Sequence, residues 1–247
     1  MSLSALIIAR NEEDKINNTL DSLSFVDEII IVLDRSTDKT KQKSKKYTNK
    51  IYEGSWISED KRRNYGISKC KSEWILEVDA DEVINKNLEI EITQRINKNE
   101  ADFFYIPLVN YVGKKKINKG WMACLAPDGK FCLFKSGCKK WREGLVHPDY
   151  TLSGKKGTKF SNKIDHYMSK NISDLIIRFN KNTSLYSKEL DLKNIKKLLS
   201  IRKIFSRFVK SYVFRGGIKL GGIGILIGLL CAIYPYVSAT KRKHEQI

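Results

Sequence analysis

The sequence predicts an α/β protein built on an open, mostly parallel sheet covered by helices. Two observations carry this expectation. Strand-like apolar runs alternate with helical patterns four times in about the first 80 residues, the order that parallel sheets require. Three of those runs end in acidic or amide clusters: Asn11-Glu12-Glu13, Asp34 to Asp38, and Asp79 to Glu82. Ligands of open α/β sheets bind beyond the carboxyl ends of the strands, so the clusters mark the edge where a ligand is expected.

Taken in order, Leu3–Ala9 is a continuous apolar run, the pattern of a strand buried on both faces. Asn11 is placed to cap a following helix in which Ile16, Leu20 and Leu23 recur at helical spacing. Residues 28–33 read as a second buried strand, residues 39–47 as a polar helix, and Ile51-Tyr52 as a short third strand. Residues 61–69 read as a helix that opens on Arg62-Arg63-Asn64, and residues 74–78 as a fourth strand. Leu88, Ile92 and Ile96 mark one further helix. Residues 103–112 are strand-like, with Pro107 confining them to an edge or a bulge. Residues 114–121 form a basic loop with an aromatic end, and Asp128-Gly129 makes a turn before a strand at 131–134. Glu143, His147 and Asp149 fall close together.

The last third changes character. Leu175, Ile176, Phe179, Thr183, Tyr186 and Leu190 keep helical spacing. Ile201, Ile204, Phe205, Phe208, Val209, Tyr212 and Val213 form one apolar stripe, with Arg202, Lys203, Arg207 and Lys210 off it. Such a helix either lies on an anionic membrane surface or packs on its own domain with a solvated basic face. Residues 220–240 carry no charge and are flanked by Lys219 and Lys241-Arg242-Lys243, long enough to cross a bilayer core of ~30 Å. Its glycines and Pro235 suit a re-entrant or interfacial hairpin equally. The expected organisation is a catalytic domain at 1–168 (a ligand-binding half at 1–85, a second half at 86–168), basic amphipathic helices at 169–215, and an apolar membrane-associated segment with a basic tail at 216–247.

Composition narrows the class. A chain of 247 residues buries a sizeable core without disulfides or structural metal. Five cysteines without a C-x-x-C pair argue against a zinc site or a secreted disulfide framework. The apolar start reaches charge by Arg10, too soon for a signal peptide, so a cytoplasmic location is expected. The net charge is +18, and residues 168–247 hold 16 Lys and Arg against 4 Asp and Glu. An excess of this kind draws anionic lipid or phosphorylated substrates, or reflects a Lys-rich composition whose side chains are simply solvated. Regular aromatic interleaving of the basic stretches is missing, so no nucleic-acid partner is expected.

Asp79-x-Asp81 directly after a buried strand suits a hard divalent cation, because side chains two apart in extended backbone share a face and carboxylate oxygens match Mg²⁺ or Mn²⁺. Asn11, Glu12 and Asp34 lie along the same sheet edge, where they can bond a nucleobase and ribose; the other role, helix capping, is open to Asn11 and Asp38. Arg62-Arg63-Asn64 at a helix start would either meet diphosphate with charge and backbone N–H groups or form, with Lys61, a solvated helix terminus.

Together, residues 3–13, 34–40, 62–64 and 74–82 resemble the nucleotide-binding half of the inverting family 2 glycosyltransferases. Trp121, Pro127-Asp128, Leu133-Phe134-Lys135, Val146-His147 and His166-Tyr167 are spaced as in its branch of lipopolysaccharide-core β-glucosyltransferases. The resemblance covers nearly the whole chain. It implies a GT-A fold (a Rossmann-like sheet), a nucleotide-diphospho-sugar donor such as a UDP-hexose, a lipid-linked or lipopolysaccharide-type acceptor, and Mg²⁺ or Mn²⁺. By position, Ala9, Asn11, Glu12 and Asp34 would contact the nucleoside, Arg63 the diphosphate, Asp79 ribose and metal, and Asp81 the metal directly. The chain departs from the pattern in three places. Leu33-Asp34-Arg35 stands where an Asp and a Gly are usual, Arg62 where Gln is common, and Pro148 where Glu follows His147. The third departure leaves Asp149 or Glu143, or else His147, as the catalytic base.

Two other classes fit the residues less well. A nucleotidyltransferase normally has a Gly-rich basic loop after its first strand, whereas residues 9–13 are acidic and lack glycine. A non-catalytic basic membrane-binding protein leaves the strand-end acids unexplained. The expected enzyme is therefore a metal-dependent transferase at the inner face of the cytoplasmic membrane.

Overall fold

The computed structural model describes residues 1–143 and 149–245. The chain divides into two units, Met1–Leu108 with Gly129–His166, and Val109–Asp128 with Tyr167–Ile247.

In the first unit, the apolar runs become β1 (Leu3–Ala9), β2 (Glu28–Asp34), β3 (Ile51–Gly54) and β4 (Trp74–Asp79). β1 pairs in parallel with β2 on one side and β4 on the other, and β3 extends the parallel set beyond β2. The reason is burial: every residue of β1 except Ile8 is buried, and β4 is buried from Trp74 to Val78. A strand covered on both faces requires helices on both sides. These are α1 (Ile16–Asp21), α2 (Thr40–Ser44), α3 (Glu59–Lys69) and α4 (Lys86–Lys98). In α4, Leu88, Ile92 and Ile96 are all buried, as their spacing predicted, and the Asn85 side chain caps Leu88 N at 3.0 Å. Gly66 on α3 permits close helix–strand packing, since a Cβ there would lie 2.7 Å from Leu6 Cδ1.

The sheet continues with antiparallel strands. β5 (Glu82–Val83) follows β4, then come β6 (Phe103–Val112), β7 (Lys115–Ile117), β8 (Gly129–Lys135) and, after a separate two-stranded sheet of β9 (Lys139–Trp141) and β10 (Tyr150–Leu152), β11 (Ile164–Ser169). The order is β3-β2-β1-β4-β8-β6-β11-β5. β6 is thus an interior strand. The edge expectation for Pro107 therefore fails, and the bulge is elsewhere: the register shifts between Phe104 and Tyr105 with Cys132 of β8 as the extra residue, while Pro107 pairs with Gly129 at the start of β8.

Several local expectations need correction. Asn11 caps no helix: α1 starts only at Ile16, and Asn11 Oδ1 accepts Thr37 N at 2.8 Å. Arg62, Arg63 and Asn64 are not at a helix start, because α3 begins at Glu59 and places them in its interior. The polar helix at 39–47 is only the five residues of α2. The basic loop at 114–121 includes β7, with Ile117 buried, and its Trp121 is buried with Nε1 donating to Ala126 O at 2.9 Å.

Glu28 offers a test of the sheet's first-unit edge. It is buried and accepts from Ser4 Oγ, Lys50 Nζ and Lys71 N. Burial disfavours its charge, but those three donors outweigh the cost and hold its carboxyl below the ordinary value of 4.5. A depressed folded pKa contributes stability that is present above the unfolded pKa and lost as pH falls through the folded one. Glu28→Gln is expected to cost about 1–3 kcal/mol at pH 7. The gap in urea midpoint between the two proteins should close on acidification below about pH 4.5; a gap unchanged at low pH would refute the ionised role.

The second unit is helical: α5 (Ile172–Glu189), α6 (Leu192–Leu198), α7 (Ile201–Val209), a π-turn at Lys210–Phe214, a 3₁₀ turn at Gly217–Leu220 and α8 (Gly222–His244). Its core gathers Val112, Ile117, Trp121, Leu125, Met168, Leu175, Phe179, Ile227, Leu230, Cys231 and Tyr234.

Candidate functional site

The carboxyl ends of β1, β2 and β4 lie side by side in the first unit. The loops after β1 and β2 are stitched together: Asn11 N donates to Ser36 Oγ at 3.2 Å, Glu12 N to Thr40 Oγ1 at 2.8 Å, and Glu13 N to Asp38 Oδ2 at 3.0 Å. Asn11 and Arg35, each the second residue past or the first past its strand, take left-handed backbone with φ of 56° and 53°. Non-glycine residues rarely adopt this conformation, and where they do it often accompanies a functional loop. Ala9 is the buried last residue of β1.

Asp34 ends β2 with its side chain 3% exposed. Its carboxylate accepts Arg35 Nε at 2.9 Å and Arg35 Nη2 at 3.0 Å, a bidentate pair, together with Arg62 Nη1 at 2.8 Å and Trp56 N at 3.3 Å. Burial opposes its charge, yet these donors hold its carboxyl below the usual range. Asp34 thereby fixes two arginines at the edge of the site, and Arg35, about half exposed, is the one presented outward.

Asp79 ends β4, and Asp81 follows the turn at Ala80. Thr19 Oγ1 of α1 donates to Ala80 O at 2.8 Å and holds that turn. Asp79 Oδ2 lies 3.0 Å from Lys130 Nζ, and Asp79 Oδ1 lies 3.5 Å from Arg63 Nη2. Lys130 also reaches Glu82 Oε2 at 2.6 Å, and the same oxygen accepts Asp79 N at 2.9 Å. Asp81 Oδ2 is 3.1 Å from Lys15 Nζ, and Asp81 Oδ1 is 3.5 Å from His166 Nε2. Burial disfavours each charge in this group. For Asp79 the opposing attraction of Lys130 and Arg63 prevails, and for Asp81 that of His166 and Lys15, so both carboxyls are pulled below the ordinary range. Lys130 and Arg63 are raised despite burial by the facing carboxylates. Glu82 is raised, because its burial outweighs the pull of Lys130.

Each member of the Arg62-Arg63-Asn64 run has its own task. Arg62 holds Asp34. Arg63 bonds Glu59 Oε1 at 2.7 Å and stacks its guanidinium 4.7 Å from the centre of the Trp141 ring. Asn64 grips the Trp141 backbone twice, donating to its O at 2.8 Å and accepting from its N at 3.0 Å. The Trp141 indole donates to Glu77 Oε1 at 2.9 Å, and Glu77 in turn pairs with Lys139. The β9–β10 hairpin is therefore fastened to α3 and β4. Glu143 and Asp149, both exposed, sit on the two arms beyond that anchor, where Arg142 N donates to Asp149 O at 2.8 Å. His147 lies outside the described residues.

Lys15, Glu77, Lys130 and Trp141 are site members that the sequence reading did not assign. Lys130 left a faint trace, since it lies in the same strand as buried Cys132, Leu133 and Phe134, an unusual setting for a lysine. Among the described residues no three His, Cys, Asp or Glu groups are spaced to cage a metal ion alone. Asp79 and Asp81 nonetheless offer the hard oxygen donors used by a cation that keeps most of its shell for phosphate and water. The donor set fits an ion that arrives with a diphosphate.

A mixed sheet with acidic and cationic groups gathered at the ends of its parallel strands is the arrangement of the GT-A fold. The crystallised residues 1–349 of TarS from Staphylococcus aureus superpose with a TM-score of 0.51 at 15% identity, covering 100% of this chain and 91% of that one. The chain belongs to glycosyl transferase family 2, whose sequence pattern matches residues 4–136. Its relatives include an uncharacterised glycosyltransferase of Rickettsia conorii, 23% identical over 99% of this chain and 91% of that protein. A lipopolysaccharide core biosynthesis glycosyltransferase, LpsC of Rhizobium meliloti, is 22% identical over 98% and 92% respectively.

Proposed function

We propose that the chain transfers a hexose from a UDP-sugar, with inversion, to a lipid-linked or lipopolysaccharide-type acceptor at the inner face of the cytoplasmic membrane. The observation that carries this reading is the pair Asp79 and Asp81 at the end of β4, faced by Arg63, Lys130 and Lys15. Support for the donor comes from TarS, which has been crystallised with UDP and with UDP-GlcNAc. Support for the acceptor class comes from the name of LpsC.

In this reading the nucleoside lies against Ala9, Asn11, Glu12 and the Asp34–Arg35 pair, and the diphosphate against Arg63 and Lys130. Asp81 and Asp79 would hold Mg²⁺ or Mn²⁺, which offsets charge on the departing diphosphate when bound. Arg63 and Lys130 offset the same charge from fixed, largely dry positions, where electrostatic stabilisation is strongest. A carboxylate of the hairpin, Asp149 or Glu143, takes the proton of the acceptor hydroxyl, with His147 as the remaining candidate. The hydroxyl oxygen forms its bond to the anomeric carbon as the bond to the diphosphate oxygen breaks on the opposite face. The diphosphate leaves with that electron pair, and an α-linked donor gives a β-linkage.

Calorimetry with UDP and a panel of UDP-sugars, with and without Mn²⁺, tests the donor half. Binding strengthened by Mn²⁺ is expected. No binding of any nucleotide diphosphate would reduce the strand-end acids to a structural role.

A further inference from the structure

Helix α8, uncharged from Gly222 to Thr240, is long enough to cross a membrane, with a mean hydropathy of 1.9 over its most apolar window. One face of it, however, is already committed within the second unit. Half of that window is buried inside the protein. Tyr234 packs edge-on against Phe179 of α5 at 5.7 Å, and its hydroxyl donates to Asn182 O at 3.2 Å. Gly228 lets α7 approach so closely that a Cβ there would lie 3.1 Å from Phe208. Beyond the apolar stretch, Lys241 Nζ reaches four oxygens of α5: Asn180 O and Oδ1, Thr183 Oγ1 and Ser184 Oγ, at 2.7–3.0 Å. A helix crossing the bilayer would forfeit these contacts.

The unit leaves apolar side chains exposed on α5 (Ile172, Ile176 and Ile177), on α8 (Ile225 and Leu229) and, together with cations, at the corner between α7 and α8. Phe214 is 81% exposed, and Val213 and Ile218 are exposed beside it, while α7 presents Ile201 and Phe205 one turn apart. Lys210, Arg215 and Lys219 are exposed among them. The corner is a fixed shape. Gly216 and Gly221 turn it with φ of 73° and 63°, Ser211 Oγ donates to Gly120 O, and Arg215 Nη1 donates to Trp121 O at 2.8 Å.

We propose that this corner is an in-plane insertion wedge for an anionic lipid surface, with α8 remaining packed in its own unit instead of spanning the bilayer. Exposed aromatic and aliphatic side chains ringed by cations match the boundary between acyl chains and anionic headgroups. A second copy of the chain is the poorer occupant, since the same cationic ring and a net charge of +18 would face themselves. The inference rests on the membrane-presented acceptor proposed above for its biological purpose, but the surface is tested separately from the chemistry.

The full chain is sedimented with sealed vesicles of phosphatidylcholine, with and without 30 mol% phosphatidylglycerol as a chosen probe composition. Wild type is expected to bind the anionic vesicles, and a Phe214→Ser/Ile218→Ser double variant to bind them about tenfold or more weakly. Its circular dichroism and UDP binding should be unchanged. Lys210→Gln/Lys219→Gln should weaken binding to anionic vesicles alone. A C-terminal epitope should stay open to protease added outside. Wild type without vesicle affinity, double-variant binding equal to wild type, a protected epitope, or a wild-type dimer dissolved by the double variant would each overturn the wedge. UDP-sugar turnover would survive any of those outcomes, whereas its loss in wild type would strike the proposed chemistry and leave the wedge standing.

Discussion

Asp81→Asn is expected to lower metal-stimulated sugar transfer by roughly 10²–10³-fold, the usual loss when a fixed charge aimed at a transition state is removed. The substitution keeps the side chain's shape but only one oxygen, so one of its two contacts, Lys15 at 3.1 Å or His166 at 3.5 Å, keeps an acceptor while the other meets an amide NH2. The melting temperature should fall by a few degrees. What disappears is the negative charge, and with it the hard donor for a divalent cation. Calorimetry separates this from a general loss of donor binding. In EDTA the variant and wild type should bind UDP alike, and only wild type should gain affinity from Mn²⁺. A variant with full metal-stimulated transfer would remove Asp81 from the metal site. Asp79→Asn should behave differently, because its oxygens face Lys130 and Arg63. Losing that charge disturbs the cations expected at the diphosphate, so affinity for UDP should fall even in EDTA.

The frame of this site was legible wherever the signal is local. Continuous apolar runs gave β1, β2 and β4, and a four-residue repeat gave α4 with Leu88, Ile92 and Ile96 all buried. Placing acids at the ends of those strands needed only their parallel order. Where a side chain's partner is remote, local rules misled. Asn11 has the chemistry of a helix cap, but its acceptor oxygen goes to Thr37 across the neighbouring strand end. The start of α3 is written in Ser58-Glu59-Asp60, an extended residue followed by an acidic first turn, and not in Lys61. The cations were hidden for a different reason. Lys130 meets Asp79 across 51 residues of chain, and only the insertion of β8 beside β4 brings them together. In the second unit, length and composition describe a membrane span and a core helix equally well, and the contacts of α8 with α5 and α7 are the ground for the in-plane arrangement proposed above.

Lys139→Met is expected to destabilise the first unit by about 3–5 kcal/mol, the cost of leaving a buried charge without its partner. Lys139 and Glu77 are the most deeply buried ion pair described, with side chains 2% and 4% exposed. Burial drives the Lys139 ammonium below its ordinary pKa in spite of Glu77, so desolvation already costs this pair more than attraction returns at the lysine. A pair of this kind stabilises little as a whole, yet it is expensive to break. Lys139 also donates to Phe131 O at 2.8 Å, and Glu77 accepts the Trp141 indole at 2.9 Å. Removing only the ammonium strands the carboxylate in an apolar setting, whereas Lys139→Met/Glu77→Gln removes both charges and keeps an acceptor for the indole. The double variant should recover most of the lost stability, read as a urea midpoint close to wild type; a double variant as unstable as Lys139→Met would show that the lysine acts through packing alone. The functional consequence runs through Trp141, whose ring supports the Arg63 guanidinium at 4.7 Å. Even at temperatures where Lys139→Met remains folded, its affinity for UDP should fall, because the arginine expected at the diphosphate loses the platform that orients it.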